Sequence, residues 1–122
     1  MKEVKAYIRV GVVQEVVSAL EGAGFCCMTI IDVSALGGLS DPAQSKYSIE
    51  FIERYSKMVR LELVCKDDDA GRVVEIIREK GCTHHSGDGI IFVLPVERAV
   101  KVRTGEEGGT ILQVRSSKSG MA

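Results

Sequence analysis

The sequence is poor in several features that would narrow its function at once. Its 122 residues include no tryptophan, two prolines and two histidines, and aromatic residues make up 5% of the chain. No apolar run approaches the roughly 18 residues that a membrane-spanning helix needs, so we expect no membrane insertion. Neither sign of charge is in excess, because 16 basic and 17 acidic residues leave a net charge of −1. We therefore expect no nucleic acid as a partner, and any anion site must be local.

Residues arranged for catalysis are also scarce. His84 and His85 are the two histidines, and neither has an assigned acidic partner. No Ser/His/Asp or Cys/His arrangement can be identified, so we expect that the protein is not an enzyme. The first five residues lack the apolar stretch of a signal peptide, and we expect a cytoplasmic location.

Two successive strand–helix–strand patterns organise the rest of the sequence. Apolar residues alternate over residues 4–10, 58–65 and part of 27–34, and a continuous apolar run covers 90–93. Apolar residues at helical spacing predict one helix that starts near Val13 and a second that starts after Asp67–Asp69. We expect these aspartates to cap the second helix, and glycines to end both helices. A short edge strand over 99–103 is a further option. Two such units predict an α+β, ferredoxin-like βαββαβ sandwich with both helices on one face of the sheet. The predicted buried helical faces are Val13, Val16, Val17 and Leu20, and Ala70, Val73, Val74 and Ile77.

The opposite face of the predicted sheet mixes charged residues with aliphatic ones. It would carry Lys5, Arg9, Arg60 and Glu62. A bare sheet face of this kind indicates burial in an oligomer, and closed cyclic symmetry is the usual arrangement. We expect one domain over residues 1–110 and a flexible C-terminal tail over 111–122, because the end of the chain is rich in Ser, Lys and Gly.

The most informative stretch is the glycine loop that precedes the apolar strand. Gly87-Asp88-Gly89 leads into that strand, and the basic segment Lys101-Val102-Arg103 follows it. Glycines let the main chain approach an anion closely, and lysine and arginine donate charge-assisted hydrogen bonds. The pattern favours a phosphorylated ligand, although a simple turn before a core strand has the same local sequence.

With these residues in view, the chain resembles the P-II signal-protein family over roughly residues 1–108. The match includes Ala6-Tyr7-Ile8-Arg9, Gly24 followed by Met28-Thr29, Gly37, the strand Val59–Val64, Gly87-Asp88-Gly89, Phe92-Val93 and Arg103-Thr104-Gly105-Glu106. The resemblance implies a homotrimer whose three clefts between subunits bind adenine nucleotides. It also implies nitrogen regulation through a long loop, residues 37–55, that contacts a target protein such as a transporter or an enzyme.

The resemblance also assigns roles to individual residues. The Gly87–Gly89 loop would face the phosphates, and Lys101 and Arg103 would reach them from the neighbouring subunit. Residues of strands two and three would line the adenine pocket, and Gly37 would begin the signalling loop close to the phosphates. The predicted nucleotide-binding residues are Thr29, Gly37, Gly38, Glu62, Val64, Gly87, Asp88, Gly89, Lys101, Val102 and Arg103.

Departures from the family pattern concern the cations that would hold a triphosphate. Ile90 and Met58 stand where the family usually has lysines, and Gly38 replaces an arginine. A hydrogen bond to a charged group contributes about 1.5–3 kcal/mol, so their loss would weaken triphosphate binding. We expect ADP or AMP to compete well with ATP, and we expect that Mg is not required.

The cysteines and histidines leave one alternative open. Cys82, His84 and His85 lie close together in the sequence and could make a metal- or redox-responsive trimeric regulator. Thiolate and imidazole suit zinc or copper, but the spacing does not match a structural zinc pattern. Cys26 and Cys27 are adjacent, which argues against the disulfide framework of a secreted protein.

Overall fold

A computed structural model describes residues 1–35 and 56–109 of the chain. The strands are β1 (Lys2–Arg9), β2 (Thr29–Ala35), β3 (Ser56–Cys65) and β4 (Gly89–Pro95), and the helices are α1 (Val13–Gly22) and α2 (Asp67–Gly81). A single 3-10 turn, Val10–Val12, joins β1 to α1.

The four strands form one antiparallel sheet in the order β2-β3-β1-β4. In the register, Lys5 faces Glu62 on β3 and Phe92 on β4, and Thr29 of β2 faces Glu62 from the other side. This order is that of the ferredoxin-like sandwich, so the predicted α+β fold is confirmed in the part of the chain that is described.

The core lies between the two helices and one face of the sheet. Alternate residues of β1 and β3 meet the apolar faces of α1 and α2, as the period of two in a strand requires. The buried cluster comprises Val4, Ala6, Ile8, Val16, Leu20, Phe25, Leu61, Leu63, Cys65, Ala70, Val73 and Ile77. Val13, Val17 and Val74, which were predicted to be core residues, pack against this cluster and are partly buried.

Three local predictions were wrong. Val10 lies outside β1 and is 52% exposed, because the chain turns into the 3-10 segment there. Asp67–Asp69 do not cap α2: its N-cap is Lys66, which makes no side-chain cap hydrogen bond, and the three aspartates lie in the first turn. Their negative charges still interact favourably with the positive end of the α2 dipole. Residues 99–103 contain only an isolated bridge between Val100 and Glu107, followed by a turn.

The open face of the sheet and the β4 edge expose apolar side chains. Ile90, Phe92 and Leu94 of β4 are 40%, 45% and 38% exposed, and the T-shaped contact between Phe92 and Tyr7 joins them to β1. An edge strand with such side chains is a surface that natural proteins usually cover. None of the helices in the described ranges is both long and apolar enough to cross a lipid bilayer.

Candidate nucleotide site

The loop that enters β4 has a backbone that requires glycine. Gly87 and Gly89 have φ angles of +90° and +111°, in a region that favours glycine. A Cβ atom on Gly89 would lie 1.7 Å from the carbonyl oxygen of Tyr7. The main chain of the turn therefore lies directly against β1, which is possible because Gly89 has no side chain.

Asp88 is fixed between these glycines by donors on both sides. Its Oδ1 accepts a hydrogen bond from Arg9 Nε at 2.9 Å, and its Oδ2 accepts one from the Thr83 backbone N–H at 2.8 Å. The Thr83 hydroxyl donates to the same carboxylate. Arg9 also donates through Nη2 to the Ser86 carbonyl at 2.6 Å. Arg9 thus joins the end of β1 to the loop, and the carboxylate of Asp88 is already occupied by protein donors.

These contacts control the ionisation of Asp88. Burial alone would raise the pKa of the carboxyl group, but the hydrogen bonds from Thr83 and Arg9 outweigh it and hold the pKa well below its usual range. Asp88 is therefore ionised at neutral pH. We assign it a role in holding the loop, because its oxygens point to Thr83 and Arg9.

A second group of predicted residues lies together on the open face, at the β2 side of the sheet. Thr29 faces Glu62 directly across the β2–β3 pair, and Val64 follows two residues later on the same face of β3. Glu62 Oε2 lies 2.9 Å from Arg60 Nε and 3.8 Å from Lys5 Nζ. The two cations balance the charge of the carboxylate, although the contact with Arg60 Nε lacks the geometry of a hydrogen bond.

The third group, Lys101–Arg103, lies in an exposed turn after β4, residues 98–107, which we call the arm. The arm is closed by backbone hydrogen bonds from Lys101 N to Glu106 O and from Gly105 N to Lys101 O, each 2.8 Å. Arg98 and Glu107 join its two sides by a pair of hydrogen bonds of 2.8 and 3.1 Å. Val102 is fully exposed at the tip. The two predicted phosphate-binding cations are therefore presented on an ordered turn.

The sheet order separates the first two groups. Gly89 belongs to one edge strand and Thr29 to the other, with β1 and β3 between them. Neighbouring strands are about 4.8 Å apart, so the two edge strands are separated by roughly 14 Å. Gly89 also lies three residues along β4 from Phe92, the residue of β4 in the same row as Thr29. The described residues of one chain therefore do not gather the predicted set into one compact pocket.

Two of the family departures have a structural role in this chain. Met58 is 2% exposed, and its Cε would lie 3.1 Å from a Cβ on Gly89, so it packs beneath the glycine loop. Ile90 helps to line an apolar groove of about 260 Å³ between β4 and the end of α2, together with Ile77 and Cys82. Met58 and Ile90 therefore place apolar side chains beside the loop, and the cation that contacts the loop is Arg9.

Gly37 and Gly38, and the loop 37–55 as a whole, lie outside the described residues. The proposed tail 111–122 does so too, and the domain boundaries stay a prediction.

The alternative metal site finds little support in the geometry. Cys82 Sγ lies 3.6 Å from His84 Nδ1, but His85 Nδ1 contacts the Thr83 carbonyl oxygen at 2.8 Å. Within residues 1–35 and 56–109, no three His, Cys, Asp or Glu side chains are grouped as metal ligands.

Sequence reasoning missed the residues that hold the loop. Arg9 was placed on the open face and in the family motif, but no contact with the loop was predicted for it, and Thr83 was assigned no role. Arg9 and Asp88 are 79 residues apart in the chain. The one available signal was topological, because pairing of β1 with β4 brings the end of β1 next to the loop before β4.

Comparison with known proteins identifies the family. The family model described as nitrogen regulatory protein P-II matches residues 1–106. A relative from Methanothermobacter marburgensis, "Nitrogen fixation nifHD region GlnB-like protein 1", is 42% identical over 88% of this chain and 99% of its own.

Two further relatives carry the family name. "Nitrogen regulatory protein P-II 2" of Methanothermobacter thermautotrophicus is 37% identical over 88% of this chain and 94% of its own. "Nitrogen regulatory protein P-II" of Azospirillum brasilense is 33% identical over 89% of this chain and 97% of its own. Matches of this extent confirm the resemblance seen in the motifs: the chain belongs to the P-II family of nitrogen regulatory signal proteins.

Proposed function

We propose that this P-II protein is a homotrimeric sensor of adenine nucleotides, with a binding cleft between neighbouring subunits. The β4-edge loop Gly87–Gly89 of one subunit faces the ligand phosphates. Lys101 and Arg103 on the arm of a neighbouring subunit reach the same phosphates. Thr29, Glu62 and Val64 line the adenine and ribose side.

The separation of the predicted groups across the sheet carries this proposal. Gly89 and Thr29 lie on opposite edges of a four-stranded sheet. A ligand that contacts both groups compactly needs the edge of a second chain. The exposed apolar stripe of β4 and the exposed tip of the arm at Val102 are the kinds of surface that such a neighbour would cover.

The nucleotide preference follows from the cations that are available. Asp88 is held by protein donors, so it does not repel or chelate the phosphates through a free carboxylate. Lys101 and Arg103 supply two positive charges, while Ile90 supplies none. Two cations and backbone amides suit a mono- or diphosphate, so ADP or AMP competes well with ATP and Mg is not required.

Titration calorimetry with ADP, AMP and ATP, with and without Mg, tests the preference. We expect ADP or AMP to bind at least as tightly as ATP. A clear preference for ATP that depends on Mg contradicts this part of the proposal. Sedimentation velocity on the same samples gives the oligomeric state, and a monomer that binds nucleotide normally contradicts the shared cleft.

Subunit mixing tests the shared cleft more directly. Arg103→Ala removes a charge-assisted hydrogen bond and should weaken ADP binding by roughly 10- to 100-fold. Gly87→Ala, at a φ of +90°, should distort the loop and also weaken binding. Arg72→Ala is the matched control, because Arg72 is exposed on α2, outside the loop and the arm, and its loss should leave ADP affinity unchanged.

When the Gly87→Ala and Arg103→Ala chains are unfolded together and refolded, about a quarter of the clefts should combine an intact loop with an intact arm. Recovery of that fraction of high-affinity sites supports a cleft between chains. No recovery, with mixed oligomers shown to form, means that each site is built from one chain.

Signalling to a target protein is the second part of the proposal. The family resemblance implies that Gly37 begins a signalling loop, residues 37–55, close to the phosphates, and ligand contacts at Gly37 would then shift the conformational populations of this loop. Deleting residues 40–48 should leave ADP affinity near normal and abolish the nucleotide-dependent retention of a partner. A deletion variant that still retains the partner would place the contact elsewhere on the protein.

A further inference from the structure

The turn between α1 and β2 contains two adjacent thiols that contact each other. The Sγ atoms of Cys26 and Cys27 are 3.3 Å apart, with Cys27 exposed and Cys26 half-buried. All four cysteines lie in the described ranges, and the other two have different surroundings: Cys65 is 3% exposed in the core, and Cys82 contacts His84. The pair is therefore the place where two thiols can react with each other without a large movement.

The distance suits a bond between the two sulfurs. A disulfide needs a separation of about 2.05 Å, so the atoms must approach by roughly 1.3 Å, which side-chain rotation can provide. Adjacent Cα atoms across a trans peptide are about 3.8 Å apart, below the usual range of about 4.4–6.8 Å for a disulfide. The resulting ring is strained, and strained, exposed disulfides are the ones that are readily reduced. The bond would thus be reversible.

A zinc site is less well supported at this pair, because a structural zinc ion takes about four protein ligands and the pair supplies two. No further ligand group for a metal is found in the described residues. Thiol oxidation is therefore the chemistry that the pair favours.

The position of the pair connects it to the start of β2. Phe25 is buried in the core, and its N–H donates to the Leu20 carbonyl at 3.0 Å. On the other side, Met28 packs partly against the core and Thr29 begins β2 opposite Glu62. Cys27 itself has a left-handed φ of +66°, which is costly for a residue with a side chain. Because Phe25 is anchored, a change of the Cys26–Cys27 backbone is transmitted toward Thr29.

We propose that Cys26 and Cys27 form a reversible dithiol–disulfide site whose oxidation changes the nucleotide affinity at Thr29. The affinity part rests on the proposed function. In the reaction, the Cys27 thiolate attacks one sulfur of a low-molecular-weight disulfide such as oxidised glutathione, and one thiol leaves. The Cys26 thiolate then attacks the Cys27 sulfur of the mixed disulfide, forms the Cys26–Cys27 bond and releases the second thiol. Two electrons pass to the oxidant, and the two protons end on the released thiols.

Mass spectrometry of the intact protein after treatment with oxidised glutathione tests the bond. We expect the wild-type chain to lose two hydrogen atoms per subunit and to recover them with a dithiol reductant. Cys82→Ser is the matched control at an exposed cysteine outside the pair: it should lose the same two hydrogen atoms and cannot form an adduct at position 82. Cys26→Ser and Cys27→Ser should form only glutathione adducts. If wild type also forms only adducts, or cross-links between chains, the site is overturned.

Titration of the reduced and the oxidised protein with ADP tests the coupling. Displacement of Thr29 should change the dissociation constant roughly two- to tenfold, the effect of about one neutral hydrogen bond, and reduction should reverse it. An internal disulfide with an unchanged dissociation constant overturns the coupling. If ADP binds in neither state, the nucleotide function itself fails, whereas the disulfide is judged by mass alone.

Discussion

Two turns lead into the edge strands of this sheet, and they are built in different ways. The loop before β4 is held by an ion pair and several hydrogen bonds that converge on Asp88. The turn before β2 is held by a buried ring, Phe25, and by the left-handed backbone at Cys27. Each turn delivers one part of the predicted nucleotide site to its edge of the sheet.

The difference indicates a division of roles. A loop fixed by charged hydrogen bonds keeps its amides in one geometry, which is what binding a phosphate requires. A turn with two adjacent thiols and a costly φ angle can change its backbone when the thiols are oxidised. We interpret the β4 loop as the constant part of the site and the β2 turn as the adjustable part.

The largest effect should come from adding a side chain at Gly89. Gly89→Ala places a Cβ 1.7 Å from a backbone oxygen at a φ of +111°, so the β1–β4 pairing must shift. We expect a loss of about 3 kcal/mol or more in the free energy of unfolding, measured by urea denaturation. Gly71→Ala is the control: it lies in α2 with nothing within 4 Å of the new Cβ and should stabilise by about 0.5–1 kcal/mol. A Gly89→Ala chain of wild-type stability would show that the loop is adaptable after all.

The next effect tests the ion pair of the β4 loop. Arg9→Met leaves the Asp88 carboxylate without its cation, and we expect a loss of about 2 kcal/mol in unfolding free energy. Arg98→Met removes an ion pair of similar geometry from the exposed arm and should cost clearly less than Arg9→Met, because solvent screens the exposed pair. Equal losses in the two variants would contradict a special role for Arg9.

The pH dependence of stability should report the same carboxylate. The folded-state pKa of Asp88 is lowered, so its contribution is fully present above the unfolded pKa of about 3.9 and is lost as pH falls below that value. Between pH 7 and pH 3, the unfolding free energy of Asp88→Asn should decrease by about 1–2 kcal/mol less than that of wild type. Denaturation curves at several pH values measure the difference, and parallel curves for the two proteins would refute it.

The smallest effect concerns the β2 turn. Cys27→Gly relieves the left-handed strain, although glycine adds entropy to the unfolded chain, and we expect a net gain of about 0.5 kcal/mol. Cys26→Gly, at a position without a positive φ, should instead lose about 0.5–1 kcal/mol. Thermal unfolding of both variants under reducing conditions makes the comparison, and a loss at Cys27 would mean that its side chain contributes more than its backbone costs.

The parts of this fold that the sequence predicts are those governed by local periodicity. The alternation in β3 and the helical spacing in α1 and α2 predict residues that are buried in the structure: Val59, Leu61, Leu63, Val16, Leu20, Val73 and Ile77. The exact ends are less predictable, because they depend on backbone geometry. The aspartates that start α2 match the helix dipole whether or not they cap it, so composition does not separate the two roles.

The candidate site is only partly predictable for a related reason. The glycines of the β4 loop stand out in the sequence, but the Arg9–Asp88 contact joins residues 79 positions apart and depends on β1 pairing with β4. The position of Cys26 beside Cys27 is visible from the sequence, whereas the 3.3 Å contact and the left-handed φ are properties of the folded turn.

The arm after β4 has one more consequence, for the cost of subunit assembly. Its backbone is already closed by the Lys101, Gly105 and Glu106 hydrogen bonds, and Val102 projects from the tip. Ordering a free segment during association would consume part of the binding free energy, at roughly 1–2 kcal/mol for each residue fixed. In the trimer that we propose, this preformed turn would avoid the backbone part of that penalty, and docking would require mainly the ordering of exposed side chains such as Lys101, Val102 and Arg103.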